Sequence, residues 1–160
     1  MQKQKINYDE LAQQLSGLFE GQRHWITNLS QFSAFVNDFM DDINWVGFYL
    51  VHGENSLKLG PFQGMVACVD IPFGKGVCGT AAATGDTQLI QDVHAFPGHI
   101  ACDARSNSEV VIPLYYEGRL IGVLDIDSPS HARFSQEDAD GLTQLSHILI
   151  QGTDWPESFA

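Results

Sequence analysis

Apolar residues in the N-terminal part of the chain recur at helical spacing. Trp25, Leu29, Phe32, Phe35, Val36 and Phe39 fall at intervals of three or four, which sets them on one stripe of an amphipathic helix. Helices are predicted over 8–19 and 24–39. From residue 44 the period shortens to two, as in a strand whose two faces meet different surroundings. Strands are predicted over 44–51 and, across a hairpin at Gly53-Glu54-Asn55, over 56–59. A short strand near 65–71 leads into Gly74-Lys75-Gly76, then a short helix over 77–84 and a strand over 88–92. Residues 94–108 carry Pro97, Gly98 and Asn107 among polar neighbours and read as a long loop. Two strong strands follow, over 109–115 and 119–127. A last helix starts at Ser135, spaced from Asp138 as a capping box, with Ala139, Leu142, Leu145 and Leu149 as its stripe. Helices at both ends of a block of hairpin-linked strands indicate the α+β class with an antiparallel sheet.

The hairpin over 109–127 is the most informative stretch. Tyr116-Glu117-Gly118 suits a three-residue loop closed by Gly118 in the left-handed region. That register sets Tyr115 opposite Arg119 and Glu109 opposite Asp125. Glu109, Val111, Pro113, Ile121, Val123, Asp125 and Asp127 then share one face. Val110, Ile112, Leu114, Leu120, Leu124 and Ile126 share the other, which is core. A two-residue loop would instead move Glu109 to the core face. Three carboxylates at one end of an apolar face repel, and repulsion with partial burial favours a proton on one of them. A carboxylic acid held neutral can donate that proton; the plainer reading is a solvated acidic edge. Over 44–51, Trp45, Gly47 and Tyr49 oppose Val46, Phe48 and Leu50. Gly47 leaves a gap between two aromatics over which a small ligand could lie, although aromatics on a strand are more often core than ligand contacts.

The composition suits one compact globular domain: 160 residues, 44% hydrophobic and 18% charged. Lys and Arg number 8 against 20 Asp and Glu, a formal net charge of -12, which disfavours nucleic acid and anionic membrane surfaces as partners. No apolar run approaches the roughly 18 residues of a membrane span, and no signal-peptide core follows the N-terminus. The expected compartment is cytoplasmic, where thiols are kept reduced.

The three cysteines, Cys68, Cys78 and Cys102, are an odd set that cannot form a simple structural disulfide framework. Cys78 follows the glycine turn at a predicted helix N-terminus, where backbone N–H groups favour a thiolate or a bound carboxylate. A free cysteine is among the most buried residue types, yet on physics alone Cys78 is the most acidic of the three. Cys102 lies in the polar loop with His99, Asp103 and Arg105 nearby, where exposure would let a thiol attack a substrate and then meet a partner thiol. Cys68 falls on the predicted short strand between Ala67 and Val69. No Cys-x-x-Cys pair is present, and His94 and His99 lack a ligand rhythm, so no metal is expected. Phosphate and dinucleotide glycine loops are also missing. His24, His52, His131 and His147 read as surface or core fillers.

Five segments carry a resemblance: INWVGFYL from Ile43, LGPFQGMVAC from Leu59, GKGVCGTAAATG from Gly74, DVHAFPGHIACDARSNSEVVIPL from Asp92, and IGVLDIDS from Ile121. Together they closely resemble the free methionine-(R)-sulfoxide reductases, stand-alone GAF-domain enzymes. The likeness runs through residues 43–138 and is weaker in the flanking helices. GHIACDARSNSE is its most specific part, since GAF domains that bind nucleotides or tetrapyrroles lack it.

The resemblance implies a GAF-like α+β fold, a central antiparallel sheet with N- and C-terminal helices packed on one face, in one domain over 1–160. It implies Cys102 as nucleophile, Cys68 as the resolving thiol that forms a disulfide with it, and Cys78 as an auxiliary thiol or alternative resolver. That overrides the physical preference for Cys78. Glu109, Asp125 and Asp127 would surround the sulfoxide and amino group, with Trp45 and Tyr49 as pocket walls. Amides over Gly76, Val77 and Cys78 suit the substrate carboxylate. The substrate would be free methionine sulfoxide and the reductant thioredoxin, with no cofactor; a homodimer is left open. Two other readings stand beside this one. A non-catalytic GAF module would bind a small ligand and sense redox state. A thiol peroxidase would use an acidic cysteine but has no need of three clustered acids.

Overall fold

Asn7 starts the first helix, α1 (Tyr8–Phe19), by accepting the Glu10 amide at 3.1 Å, and Asp9 and Glu10 add negative charge where the helix dipole favours it. The computed structural model describes residues 5–99, 102 and 104–160. Ile100, Ala101 and Asp103 of the loop expected over 94–108 lie outside the described residues, as do residues 1–4. The further elements are α2 (Trp25–Phe39), β1 (Trp45–Val51), β2 (Ser56–Gly64), β3 (Asp70–Pro72), α3 (Gly76–Thr84), β4 (Gln88–Ile90), a 3-10 turn (Val93–Ala95), β5 (Ser108–Tyr116), β6 (Arg119–Ser128) and α4 (Gln136–Gln151). The six strands form one sheet in the order β3-β2-β1-β6-β5-β4, antiparallel at each pairing.

The sheet separates two apolar layers. On one face α1, α2 and α4 bury Leu15, Leu29, Phe32 and Leu142 against Val46, Phe48, Val110, Ile112, Leu124 and Ile126. This is the arrangement expected of the terminal helices. The Ser135–Asp138 capping box forms, and Asp138 also accepts the Tyr8 hydroxyl at 2.7 Å, which ties α1 to α4. The Tyr8 ring rests on Gly141, where any Cβ would overlap it. On the other face α3 packs Val77, Cys78 and Ala81 against Trp45, Tyr49, Val111 and Val123. No described helix is long and apolar enough to cross a membrane.

The hairpin departs from the expected register in two ways. Its loop has two residues, Glu117 and Gly118, both at positive φ (51° and 78°) with Tyr116 paired to Arg119, the geometry of a primed turn. An extra residue, Ile121, then interrupts β6 between the pairs Tyr115–Leu120 and Leu114–Gly122, a β-bulge. The short loop alone would have turned Glu109 into the helical core. The bulge turns it back, so Glu109 pairs with Asp127 rather than Asp125, and Asp125 with Val111. Ile121 and Leu120 exchange the faces expected of them: Ile121 joins the helical core and Leu120 packs on the α3 side.

Cys68 is not on a strand. β2 continues to Gly64, whose φ of 143° and close approach to the Trp45 ring suit glycine alone, and residues 65–69 run as a loop to β3. The gap expected over Gly47 is also closed. A Cβ there would overlap Phe62 of β2, whose ring stacks on Trp45 with centroids 5.1 Å apart.

Candidate active site

The α3 face of the sheet holds a cleft whose empty volume, open mouth included, is about 530 Å3. β1 supplies Trp45 and Tyr49, β5 supplies Glu109, and β6 supplies Asp125 and Asp127. Lys75, Gly76, Val77 and Cys78 come from the start of α3, while His99, Cys102 and Ser106 come from the loop before β5. Nine of the positions singled out from the sequence therefore line one cavity: Trp45, Tyr49, Gly76, Val77, Cys78, Cys102, Glu109, Asp125 and Asp127. Cys68 stands at its edge, joined to Cys102 by a disulfide with Cα atoms 5.5 Å apart.

Sheet geometry explains how the acids come together. Glu109 and Asp127 are cross-strand partners, and Asp125 lies two residues along the same face. Glu109 is 6% exposed and Asp125 5%, so desolvation penalises their charged forms. Burial first, then the charges of Asp125 and Asp127, push the Glu109 carboxyl well above the usual carboxylate range. Burial also raises Asp125, against hydrogen bonds with Glu109 and Cys78 that pull it back. Both shifts favour a proton on the cluster, one that belongs to the interacting carboxyls together rather than to either alone. Asp125 Oδ1 is buried and accepts no hydrogen bond from a described residue, an expensive condition unless a ligand donates to it.

Cys78 corrects the expectation drawn from its position. It begins a helix but is buried, and its Sγ lies 4.0 Å from Glu109 Oε2. Desolvation, then Asp125, Glu109 and Asp127, push its thiol well above the ordinary value. The helix N-terminus is outweighed by three acids in a low-dielectric setting. Cys78, Glu109 and Asp125 are also the group compact enough to hold a cation among the described residues, with donor atoms within 4.8 Å of one another. Their separation matches a thiol and acids sharing protons.

Two aromatic side chains hold the Cys68 loop. Trp45 Nε1 donates to Met65 O at 3.1 Å, and the Tyr49 hydroxyl donates to Cys68 O at 3.0 Å. Their rings stack with centroids 5.8 Å apart. Burial, followed by the pocket acids, keeps the Tyr49 phenol above its ordinary range and so protonated as a donor. The loop bearing Cys102 is fixed at its far end: Asn107 Nδ2 donates to Pro129 O at 2.7 Å, and the Ser108 hydroxyl donates to Ser130 O at 2.6 Å.

Comparison with known proteins agrees with this geometry. Residues 27–151 match the GAF domain family. The free methionine-R-sulfoxide reductase of Escherichia coli K12 is 49% identical over 156 residues, 96% of this chain and 94% of that protein. The protein of the same name from Saccharomyces cerevisiae is 44% identical over 155 residues, covering 90% and 86%. The chain belongs to the free methionine-R-sulfoxide reductase family. A solved structure of the Staphylococcus aureus fRMsr, in complex with substrate, superposes with a TM-score of 0.89 at 49% identity, covering 95% of this chain and 99% of that one.

In this member of the reductase family, sequence reasoning missed Lys75, His99 and Ser106 as lining residues. Lys75 was visible only as part of the glycine turn. His99 falls in the GHIACDARSNSE segment near Cys102, but no spacing marks it as a lining residue. Ser106 accepts the Asn44 side-chain amide at 3.1 Å, a contact across 62 residues that leaves no local sequence signal.

Proposed function

We propose that this protein reduces free methionine (R)-sulfoxide to methionine by thiol chemistry, with all of the chain acting as one catalytic domain. The observation that carries the reading is the Cys68–Cys102 disulfide at the edge of a cavity whose inner wall is a proton-holding acid cluster. A thiol that attacks sulfur and a neutral acid that protonates oxygen are the two parts sulfoxide reduction needs. The names of the E. coli and yeast relatives and the substrate complex of the S. aureus relative support the same substrate.

In this reading the Cys102 thiolate attacks the sulfoxide sulfur while a carboxylic acid of the cluster, Glu109, protonates the oxygen. The S–O bond and the transient bond between the two sulfurs break as the hydroxyl passes to Cys102, methionine leaves, and Cys102 becomes a sulfenic acid. Cys68 condenses with it to a disulfide and releases water. An external dithiol, thioredoxin, restores both thiols in the cytosol. Cys78 stays protonated as an auxiliary thiol in the pocket wall. The substrate ammonium donates to Asp125 Oδ1, Asp127 adds charge beside it, and the carboxylate takes the amides over Gly76 to Cys78 at the start of α3. Trp45 and Tyr49 flank the thioether.

The test compares free (R)- and (S)-methionine sulfoxide with a peptide-bound methionine sulfoxide, using reduced protein and a dithiol. Methionine should form from the free (R) epimer, and Cys68 should become linked to Cys102. Equal rates on the peptide would refute the reading, because a peptide lacks both terminal charges. Ligand binding without turnover would assign a sensor instead.

A further inference from the structure

The proposed reaction leaves one proton without an acceptor. Cys102 must lose its thiol proton before it attacks, yet the cavity it lines contains Glu109, Asp125 and Asp127. Negative neighbours oppose a thiolate, so a base must draw the proton away. Of the described residues lining the cavity, Lys75 and His99 alone have basic side chains. A lysine ordinarily keeps its proton at neutral pH, whereas a neutral imidazole accepts one. His99 is on the same loop as Cys102, three positions before it.

Two further imidazoles lie near His99 at the protein surface. The His94 ring centroid is 6.4 Å from that of His99, and His131 is 6.4 Å beyond His94. His94 Nε2 lies 2.9 Å from Asn107 Oδ1, and Asn107 Nδ2 donates to Pro129 O, so His94 Nε2 is the donor in that pair. His131 is largely exposed and stands 3.6 Å from Asp92. None of these groups has a role in the reaction described above.

We propose that His99 is the base that takes the Cys102 thiol proton and releases it to solvent at the open mouth of the cavity. The proposal rests on the reading of the site as a sulfoxide reductase. The His94 ring of the 3-10 turn contacts His99, and the titratable groups that share its cavity are Cys102 of its own loop, Lys75 and Cys78 at the start of α3, Tyr49 of β1, Glu109 of β5, and Asp125 and Asp127 of β6. Burial first, then His94, lower the affinity of His99 for a proton, so its basic form prevails at neutral pH.

The step balances. The S–H bond of Cys102 breaks and its proton goes to the imidazole. The thiolate bonds the sulfoxide sulfur and the acid cluster protonates the oxygen; the S–O bond and the transient bond between the two sulfurs then break, methionine leaves, and the hydroxyl ends on Cys102. Cys102 is oxidised by two electrons and the sulfoxide is reduced by two. The imidazolium returns its proton to water and the cluster regains one, so no proton is consumed overall.

Single-turnover formation of methionine by reduced protein, followed across pH, tests the assignment. In the wild type the rate should rise with pH through a transition below the ordinary histidine value. His99→Gln should lower the rate at pH 7 on the order of a hundredfold, the usual contribution of a positioned base, and abolish that transition. His99→Ala should regain part of the rate in imidazole buffer, in proportion to the neutral buffer species. An unchanged rate and profile in His99→Gln would overturn the proposal. So would a uniform fall at every pH with the transition intact and no imidazole rescue, the result of a purely structural role. Failure of the wild type to form methionine would overturn the functional reading as well, which separates the two failures.

Discussion

Cys78 and Cys102 line the same cavity but stand in different chemistry. Cys78 is buried and held protonated by desolvation and three acids, while Cys102 is bonded to Cys68. Cys102→Ser should abolish methionine formation in a dithiol-coupled assay, and Cys78→Ser should keep most of it, since serine preserves a small neutral donor beside Glu109. Loss of activity on both substitutions would point to Cys78 as a second reacting thiol. The acids make a separate prediction. Burial and like charge keep a proton on the cluster, so the wild-type rate should fall as pH rises past the apparent pKa of the coupled group. Glu109→Gln should cost on the order of a hundredfold in rate, and Asp125→Asn should move the alkaline limb by altering the charge that Glu109 faces. A pH–rate series for the three proteins is decisive. Near-wild-type rates with an unchanged limb in both variants would place the proton donor elsewhere.

At the scale of elements, β1 does two tasks with alternate residues. Val46, Phe48 and Leu50 anchor the helical core, while Trp45 and Tyr49 turn to the cavity and hold the Cys68 loop by its backbone. Tyr49→Phe removes the hydroxyl donor to Cys68 O and keeps the ring. Disulfide closure should therefore slow more than methionine release, so a sulfenic-acid trap should label more Cys102 than in the wild type. Equal slowing of both steps would mean that Tyr49 acts on substrate binding alone. Most of this organisation was legible in the sequence. The two-residue period of β1 gave its faces, and Ser135-x-x-Asp138 gave the start of α4. The carboxylate face was legible only in part. The correct face was reached with the wrong register, because a shorter loop and a bulge at Ile121 offset each other in parity. A bulge depends on how β6 must bend past β1, where Gly122 lies so close to Tyr49 O that a Cβ would collide. No local pattern announces that contact. The weak acidity of Cys78 was hidden for a similar reason, since the acids that surround it are distant in the chain and meet it only through the sheet.

For the molecule as a whole, the two faces of one sheet oppose each other energetically. The helical side buries mainly aliphatic and aromatic residues, and its buried carboxylate, Asp138, is partnered by Tyr8 and Arg133, whereas the α3 side buries carboxyl groups that would be better solvated in the unfolded chain. The pH dependence of stability should expose that difference. Glu109 binds its proton more tightly folded than unfolded, so its contribution is most favourable below the unfolded glutamate pKa of about 4.3. That contribution is lost as pH rises from there towards the folded pKa, because the unfolded chain ionises first. Asp125 acts in the same direction. Glutamine cannot ionise and keeps a similar shape, so Glu109→Gln should melt above the wild type at pH 8, with the gap shrinking as pH falls towards 4. Each kcal/mol relieved should raise Tm by roughly 2–4 °C in a protein of this size. The reduced proteins should be compared, so that the Cys68–Cys102 bond does not contribute. The same variant is expected to be nearly inactive, so stability would rise as function is lost, the usual relation where a site holds groups the fold would otherwise solvate. Coincident melting curves at every pH would mean that Glu109 ionises freely in the folded protein, and the cluster could not then hold the proton that sulfoxide reduction requires.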